Sequence, residues 1–253
     1  MNQLDMMNWL LEKRSKMIVI YDFDGTLTPY ALPKYEIFKK CGITEVEGAL
    51  RGKKIMEEEG LSLYEAYFEA YRRYLVESNI PFNREAVCLG ANDVELNKGV
   101  LEYFNELNYD NTGLKHYVVT SGFEEYIKDT PINEFLDGIF GTTFTIKDGL
   151  YNKVNTLMNE EYKVEAIKKI EEINKVSTKE IIYFGDGLTD KDAFKYVYNN
   201  GGKTVFVSKN KKEDEIYKKF NREGIISECF DIDFSSSSEL YKYIEILCNK
   251  DTN

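Results

Sequence analysis

The sequence predicts an α/β protein with a doubly wound parallel sheet and a smaller all-helical domain. Short β-branched runs alternate with amphipathic helical patterns along most of the 253 residues, which is typical of helices that cover both faces of a parallel sheet. Two of these runs lead directly into acidic residues, at 18–24 and 180–186. One interval, 30–98, has helical patterns and no strand pattern. The first two observations predict the sheet, and the third predicts the helical domain.

Strands are predicted wherever a short apolar run rich in β-branched residues is bounded by polar or turn-forming residues. Such runs occupy 16–22, 114–120, 139–145, 180–185, 203–207 and 225–229. Helices are predicted where apolar residues recur three and four positions apart. Outside the helical interval, a short amphipathic helix is predicted within 1–14, and further helices at 98–107, 161–174, 190–198, 211–219 and 237–248.

Four helices are predicted inside the helical interval, because turn-forming residues divide its apolar patterns. Tyrosine and phenylalanine recur at helical spacing in 61–74, which favours the core of a helix. The sequence thus predicts a sheet domain made of 1–29 and 99–253, and a helical domain over 30–98. The four helices span 33–41, 45–58, 62–78 and 83–91.

The composition restricts the classes of partner. A formal net charge of −11 argues against a nucleic-acid partner, since phosphate backbones bind basic surfaces. No apolar run reaches the roughly 18 residues of a membrane span, and the N-terminus lacks the apolar core of a signal peptide. The single histidine, His116, is expected to be structural. The cysteines lack the spacing of zinc or redox sites, so we expect reduced thiols and a cytoplasmic protein; they are Cys41, Cys88, Cys229 and Cys248.

The first acidic segment brings two carboxylates to the end of a buried strand. The run at 18–21 is followed by Asp22 and Asp24. Residues two apart on an extended strand face the same way, so these carboxylates would meet in a half-buried place. A divalent cation is the simplest compensation for such like charges. Taken alone, the segment also fits a chance Asp-Gly turn, because both residues are common turn formers.

Two segments further along the chain carry groups that suit a phosphate. A second predicted strand ends in Thr120, Ser121 and Gly122, where hydroxyl and backbone N–H groups can hold a phosphate or start a helix. Lys163 stands near the start of an amphipathic segment whose apolar face can dock beside the sheet. Lys153 is the alternative cation for the same role.

The second acidic segment reads Gly-Asp-Gly-Leu-Thr-Asp at 185–190 and follows another predicted strand. Mg²⁺ takes oxygen ligands and keeps several waters, so Asp186 is a candidate direct ligand. Asp190 would lie beside it, either as a ligand through water or as a support for the loop. Asp192 fits the favourable position of an acid in the first turn of a helix.

These four segments, in this order, resemble the motifs of the haloacid dehalogenase (HAD) superfamily. The segment 22–26, Asp-Phe-Asp-Gly-Thr, is similar to the first motif of its phosphatases, and 185–190 is similar to the fourth. The resemblance implies a HAD-like Rossmannoid core. The extra residues at 30–98 lie between the first and second motifs, which implies a type 1 helical cap, as in the phosphoserine-phosphatase-like branch.

The resemblance also implies an Mg²⁺-dependent phosphatase that acts on a small-molecule phosphomonoester through an aspartyl-phosphate. Asp22 would be the nucleophile, and Asp24 would protonate the leaving oxygen and then activate water. Lys163 would offset the negative charge of the phosphate and of Asp22. The implied phosphate-binding residues are Thr120, Ser121, Gly122 and Lys163. The implied metal ligands are Asp22, the main chain of Asp24, Asp186 and Asp190.

The substrate is less well defined than the reaction. Phosphoserine-phosphatase-like members carry a glutamate for the substrate's ammonium group where this chain has Ala31, and the nearest acid is Glu36. Phosphoserine itself is therefore not predicted. The arginines of the helical interval fit a solvated helix face better than a substrate contact; they are Arg51, Arg72, Arg73 and Arg84.

Two other functions stay open at this point. Asp24 favours a phosphatase over the dehalogenases, which lack that acid, and over the P-type ATPases, which have threonine there. A phosphomutase is the nearest alternative on the same fold, and the sequence does not exclude it. A non-catalytic phosphate-binding regulatory module is the alternative from a different class, since a fold does not fix a function. The intact set of catalytic positions favours an enzyme. The sequence makes no prediction of the oligomeric state.

Overall fold

A seven-stranded sheet forms the centre of the computed structural model, which describes residues 17–29, 35–109 and 113–249. The strands are β1 (Ile18–Tyr21), β2 (Lys115–Phe123), β3 (Gly138–Lys147), β4 (Leu150–Thr156), β5 (Ile181–Gly185), β6 (Lys203–Ser208) and β7 (Glu228–Asp231). Their order across the sheet is β4-β3-β2-β1-β5-β6-β7, and all neighbours are parallel except the antiparallel pair β3 and β4. The predicted α/β class with a doubly wound sheet is confirmed.

Helices cover both faces of this sheet. Among the described residues, four of them lie in the interval 30–98: α1 (Glu36–Lys40), α2 (Glu45–Glu59), α3 (Leu63–Glu77) and α4 (Arg84–Val87). The others are α5 (Val100–Tyr109), α6 (Glu124–Lys128), α7 (Glu160–Asn174), α8 (Lys191–Asn199), α9 (Glu215–Glu223) and α10 (Glu239–Asn249). No helix among the described residues is long and apolar enough to cross a membrane. The helix predicted within 1–14 lies outside the described residues.

Strand β1 is buried on both faces because its side chains alternate between two cores. Val19 and Tyr21 belong to one apolar cluster, which includes side chains of α5 and α10. Ile18 and Ile20 belong to the other, which includes side chains of α7, α8 and α9. This continuous apolar run is typical of a central parallel strand, and it anchors the acidic segment that follows.

The two longest helices between β1 and β2 each begin with a capping box. The Thr44 hydroxyl accepts from the Glu47 N–H, and the Glu47 carboxylate accepts from the Thr44 N–H, which starts α2. Ser62 and Glu65 form the same arrangement at the start of α3. Helix α2 ends at Gly60, whose φ of 69° is the left-handed conformation that glycine favours.

These helices have a small core of their own and also join the main core. Ile55, Ala66 and Ala70 pack together between α2 and α3. Phe38 and Tyr71 belong to the larger cluster that reaches the sheet. The helical interval is therefore packed firmly against one end of the sheet.

Strand β4 is a correction to the sequence prediction, which had no strand at 150–156. Strands β3 and β4 form a hairpin around Asp148 and Gly149, whose φ values of 54° and 78° suit a two-residue turn. The signal was present as an Asp-Gly pair between two extended segments. It was missed because β4 is a largely polar edge strand. Its hairpin contacts the helical interval, since the Phe144 ring lies 5.0 Å from that of Phe82.

Other boundaries also differ from the sequence prediction, among them that of the helix predicted at 211–219, which is found at Glu215–Glu223 as α9. The strand predicted at 225–229 is found at β7, because Ile225 and Ile226 are buried in the connection before it. The helix predicted at 83–91 ends at Val87, and a short 3-10 turn follows Gly90, whose φ is 76°.

The thiols agree with the expectation of reduced cysteines. Cys41, Cys88 and Cys229 are free. Burial raises the pKa of Cys88 and of Cys229 to about 12, so both remain thiols at neutral pH. The side chain of Cys248 lies outside the described part of the chain.

His116 is structural, as its position in β2 suggested, and it makes stability depend on pH. The ring is fully buried, and its Nδ1 lies 3.1 Å from the Tyr21 hydroxyl. Burial lowers the pKa of His116 to about 4, from 6.5 in the unfolded chain. Because the unfolded ring takes up a proton first, acidification from pH 6.5 to pH 4 should cost about 3 kcal/mol of stability through this residue.

Chemical denaturation of the wild type and His116→Phe at pH 7 and pH 4 measures this contribution. The loss of unfolding free energy between the two pH values should be about 3 kcal/mol smaller in the variant. Equal losses in both proteins would contradict the assignment.

Candidate active site

Side chains from adjacent strands meet at the carboxyl edge of the sheet. Asp22 follows β1, Thr120 lies in β2 and Asp186 follows β5, and β1 is flanked by the other two strands. From β1 the chain runs to β2 on one side and later crosses to β5 on the other side, so a crevice opens at this switch point. A cavity of about 340 Å³ lies there, with Asp22, Asp24 and Asp186 in its wall.

Asp22 is held in a fixed orientation at the cavity. Its side chain is almost fully buried, and its Oδ1 accepts from Lys163 Nζ at 3.1 Å and from the Phe23 N–H at 2.9 Å. Burial and repulsion from Asp190 raise the pKa of Asp22 to about 6, although Lys163 and the Phe23 N–H lower it. Asp22 therefore presents an ionisable carboxylate to the cavity, and Lys163 and the Phe23 N–H fix its orientation.

Asp24 is a carboxyl group that can hold a proton near neutral pH. The Tyr35 hydroxyl donates to its Oδ1 at 2.7 Å, and the Tyr35 ring stacks on Tyr126 at 4.1 Å. Burial raises the pKa of Asp24 to about 7; the Tyr35 hydrogen bond opposes this shift, and Asp22 adds to it. Gly122 lets the Asp24 carboxylate lie close to β2, because a Cβ on residue 122 would lie only 2.8 Å from Asp24 Oδ2. A proton can therefore enter and leave this position at physiological pH.

Lys163 and Asp190 form a buried ion pair behind Asp22. Lys163 Nζ lies 2.7 Å from Asp190 Oδ1, and both side chains are fully buried. Burial disfavours the ammonium, but Asp190 and Asp22 outweigh it and raise the pKa of Lys163 well above its ordinary value. The Tyr183 hydroxyl also donates to Asp190 Oδ1 at 2.7 Å. This network fixes a positive charge beside Asp22.

Asp190 also shapes the loop that carries Asp186. Its Oδ2 accepts from the Asp186 N–H at 3.3 Å and from the Gly187 N–H at 3.2 Å. With Lys163 and Tyr183 on the other oxygen, both oxygens of Asp190 are hydrogen-bonded within the protein. This arrangement fits a support for the loop and for Lys163 better than a direct metal ligand.

Asp186 reaches the site because Gly25 leaves room for it. A Cβ on Gly25 would lie 2.2 Å from Asp186 Oδ2, and the φ of Gly25 is 85°, in the left-handed region. The Thr26 hydroxyl donates to Asp186 Oδ1 at 3.2 Å. Burial, Asp190 and Asp22 raise the pKa of Asp186 well above its ordinary value, while Lys163 and Thr26 lower it. The carboxylate is thus placed where a positive charge would stabilise it.

The segment 120–122 contributes hydroxyl groups to the cavity. Thr120, Ser121 and Gly122 all line it. The Gly122 N–H donates to Thr120 Oγ1 at 3.0 Å, so that N–H is already used within the segment. The buried Ser121 Oγ has no hydrogen-bond partner among the described residues. A buried polar atom without a partner is unfavourable, so Ser121 is suited to bind an oxygen of a ligand.

The donor set fits a hard divalent cation. Oxygens of Asp22, Asp186 and Asp190 lie within 4.8 Å of one another. With Asp24, four carboxyl groups share this place, and the ammonium of Lys163 pairs with two of them, Asp22 and Asp190, which leaves excess negative charge in a buried place. Mg²⁺ prefers oxygen ligands and would balance that charge.

Sequence reasoning missed two tyrosines and assigned the arginines correctly to the surface. No sequence motif marks Tyr35 or Tyr183. Their hydroxyl groups donate hydrogen bonds to Asp24 and Asp190, respectively. The arginines of the helical interval form ion pairs with glutamate or aspartate and do not line the cavity: Arg51, Arg72, Arg73 and Arg84. Lys153, the alternative to Lys163, is exposed on β4.

Comparisons with known proteins agree with this geometry. A sequence model of the family described as haloacid dehalogenase-like hydrolase matches residues 19–195. A phosphoserine phosphatase of Methanocaldococcus jannaschii is 29% identical, over 73% of this chain and 83% of that protein. An uncharacterized protein of Borreliella burgdorferi is 25% identical, over 94% of this chain and 98% of that protein.

A solved structure described as a phospho-aspartyl intermediate analogue of phosphoserine phosphatase has a similar fold. It superposes with a TM-score of 0.60 at 24% identity, over 92% of this chain and 99% of that chain. At this identity the likeness concerns the fold.

Proposed function

This chain belongs to the haloacid dehalogenase-like hydrolase family, and we propose that it hydrolyses small-molecule phosphate monoesters through an aspartyl-phosphate on Asp22. The observation that carries the proposal is the pairing of two carboxyl groups at one cavity. Asp22 is oriented by Lys163, and Asp24 has a pKa of about 7. A nucleophile beside a proton donor of suitable pKa is what a two-step phosphoryl transfer needs.

In the first step, Asp22 attacks phosphorus through a carboxylate oxygen, and the bond between phosphorus and the alcohol oxygen breaks. Asp24 gives its proton to the departing alcohol oxygen, so the alcohol leaves neutral. Lys163 places positive charge beside Asp22, which favours the negative charge of the reacting group. The hydroxyls of Thr120 and Ser121 hold the oxygens of the phosphoryl group.

In the second step, Asp24 is ionised and takes a proton from a water molecule. The water oxygen attacks phosphorus, the bond from phosphorus to Asp22 breaks, and inorganic phosphate is released. The Tyr35 hydroxyl, 2.7 Å from Asp24 Oδ1, keeps the carboxylate in place through both proton transfers. Asp24 ends the cycle protonated, as it began.

The same proposal includes Mg²⁺, held by Asp22, Asp186 and the main-chain carbonyl of Asp24. When bound, it would supply positive charge that offsets the charge of the phosphate. Asp190 supports this site by fixing Lys163 and the loop at Asp186. The excess of carboxylates in the cavity wall is the observation that supports a cation here.

The division into domains is part of the proposal as well. Residues 1–29 and 99–253 would form the catalytic core, and 30–98 the helical cap. The proposal is supported by Tyr64 of α3, which lines the same cavity as Asp22 and Asp186 of the core. A cap in this position would exclude water from the reacting phosphate.

Phosphate release tests the proposed function directly. The purified chain would be assayed with p-nitrophenyl phosphate and a panel of small phosphomonoesters, with Mg²⁺ and with EDTA. We expect turnover that depends on Mg²⁺ and returns when the metal is restored. Folded protein that releases no phosphate from any ester in Mg²⁺ would contradict the proposal.

A matched pair of glycine variants tests the role of Gly25 at Asp186. Gly25→Ala should lower both Mg²⁺ affinity and kcat/KM by about 100-fold, because the methyl group displaces Asp186. Gly149→Ala is the control, since Gly149 has a φ of 78° but no atom within 4 Å of the added Cβ. Both variants should lose roughly 1 to 2 kcal/mol of stability from backbone strain, and Gly25→Ala should lose more, because its Cβ clashes with Asp186. Equal activity in the two variants would show that Gly25 does not make room for Asp186.

A further inference from the structure

We propose that the preferred substrates carry a planar aromatic ring on the alcohol side of the phosphate ester. This inference rests on the proposed phosphatase function and concerns the part of the cavity beyond the reacting phosphate. That part is built by one helix of the interval at 30–98. The residues of this helix that line the cavity recur at the spacing of one helix face.

Four aromatic rings of α3 line the cavity. They stand at positions i, i+3, i+4 and i+7, so they share one face of the helix; they are Tyr64, Tyr67, Phe68 and Tyr71. Three of them are only partly buried and therefore present ring surface to the cavity. Among the described residues, the charged side chains that line the cavity are Asp22, Asp24 and Asp186, which belong to the phosphate end.

Two glycines of α2 leave space for two of these rings to pack against that helix. A Cβ on Gly52 would lie 2.7 Å from Cδ1 of Tyr67, and a Cβ on Gly48 would lie 3.0 Å from the Tyr71 hydroxyl oxygen. Glycine inside a helix is unfavourable relative to alanine, so its presence one turn apart at both points needs a reason. The space they leave lets the tyrosine rings lie against α2 and keeps the ring surface in order.

The cavity lining suits an aromatic ring better than the ammonium and carboxylate groups of an amino acid. The ammonium and carboxylate of phosphoserine would lie against aromatic carbon without a charged partner among the described lining residues, and burying unpaired charge is strongly unfavourable. The segment 30–34, which includes the Ala31 position, reads Tyr-Ala-Leu-Pro-Lys and holds no acid for an ammonium group. An aromatic ring would instead gain stacking or edge contacts with its neighbours.

The size of the cavity agrees with one ring. A volume of about 340 Å³ lies at the small end of the range for ligand sites and leaves room for a phosphoryl group and a single ring system. Leu188, which is 53% exposed, lines the same cavity and adds an apolar contact on the core side.

The test compares esters of primary alcohols, whose leaving groups have similar intrinsic reactivity. The substrates are benzyl phosphate, cyclohexylmethyl phosphate, O-phosphoserine and methyl phosphate, each assayed with Mg²⁺. We expect kcat/KM for benzyl phosphate to exceed that for phosphoserine by at least about 100-fold, because the charged groups stay unpaired. Benzyl phosphate should exceed cyclohexylmethyl phosphate by about three- to tenfold, because only the planar ring stacks.

Variants of α3 separate ring recognition from general damage. Tyr67→Leu should reduce the ratio of kcat/KM for benzyl over cyclohexylmethyl phosphate by about threefold or more. Tyr74→Leu is the matched control, because Tyr74 lies on the same helix outside the cavity lining, with Arg51 over its ring at 4.3 Å. That control should leave the ratio unchanged.

Each other result has a distinct meaning. If methyl phosphate is hydrolysed and kcat/KM for phosphoserine equals or exceeds that for benzyl phosphate, the aromatic preference is overturned. The proposed phosphatase function would then still stand. Equal rates for benzyl and cyclohexylmethyl phosphate would reduce the preference to any apolar group and overturn the proposal for a ring. An absence of turnover for all four esters would overturn this inference, and the absence of turnover for p-nitrophenyl phosphate as well would overturn the proposed function with it.

Discussion

Replacement of Asp22 by asparagine should abolish phosphate release, with kcat lower by about 10⁴-fold or more, because an amide cannot form the aspartyl-phosphate. The variant should still fold. Burial raises the pKa of Asp22 to about 6, so at pH 8 the native state holds an ionised group that it disfavours. Without metal, Asp22→Asn should therefore be more stable than the wild type at pH 8 by about 1 to 3 kcal/mol.

Steady-state kinetics and urea denaturation in EDTA measure these two effects in the same protein. Asp192→Asn is the control, because Asp192 is an exposed acid in the first turn of α8 and does not line the cavity. It should leave kcat unchanged and cost at most about 1 kcal/mol of stability, because it removes one acid from the first turn of a helix. An Asp22→Asn variant that keeps more than a few per cent of wild-type activity would remove Asp22 from the role of nucleophile.

Replacement of Lys163 by methionine should have the second largest effect, on both activity and stability. Lys163 is the cation between two buried carboxylates, with Nζ 3.1 Å from Asp22 Oδ1 and 2.7 Å from Asp190 Oδ1. Removing one partner of a buried ion pair costs about 3 to 5 kcal/mol, because the remaining charge has no compensation. We expect kcat/KM to fall by about 10³-fold or more, since the charge that stabilises the reacting group is lost.

The pH dependence and a double variant identify the cause of that loss. The destabilisation by Lys163→Met should be larger at pH 8 than at pH 5, because Asp22 can neutralise by protonation at the lower pH. Lys163→Met combined with Asp190→Asn should recover part of the stability and little of the activity. Lys153→Met, at the exposed lysine of β4, is the matched control. A loss of stability equal at both pH values would indicate lost packing and not lost charge.

The fold was predictable where one physical pattern dominates. Strand β1 is a continuous apolar run because it is buried on both faces, and that pattern is visible without any tertiary information. Strand β4 was not predicted, because an edge strand with polar side chains lacks both the apolar run and the alternation. Its signal was the Asp148-Gly149 pair, which has meaning only once two extended segments are recognised around it.

The candidate site divides in a similar way. Residues that come directly after strands, such as Asp22 and Asp186, were predictable because the carboxyl ends of parallel strands converge. Lys163 could be chosen over Lys153 because Ile167 and Ile170 mark the helix face that packs on the sheet, and both are buried. Tyr35 was not predictable, because its contact with Asp24 depends on how the first helix of the interval packs and on no local pattern.

The aromatic face of α3 shows how one pattern can have two uses. Its spacing predicted the core of a helix, and Tyr71 and the neighbouring alanines are indeed buried. The same face also lines the cavity, which becomes visible only when the structure brings α3 to the site of Asp22 and Asp186. Periodicity identifies a face that avoids water, but the structure shows whether protein or ligand covers it.

The most direct test of the account is to find the covalent intermediate. The chain would be mixed with benzyl phosphate and Mg²⁺, quenched with acid during turnover, reduced with borohydride and analysed by peptide mass spectrometry. Borohydride reduces an acyl phosphate to an alcohol, so the account predicts homoserine at position 22 and an unmodified Asp24. Efficient turnover with Asp22 unmodified, or with the modification at another carboxylate, would contradict it.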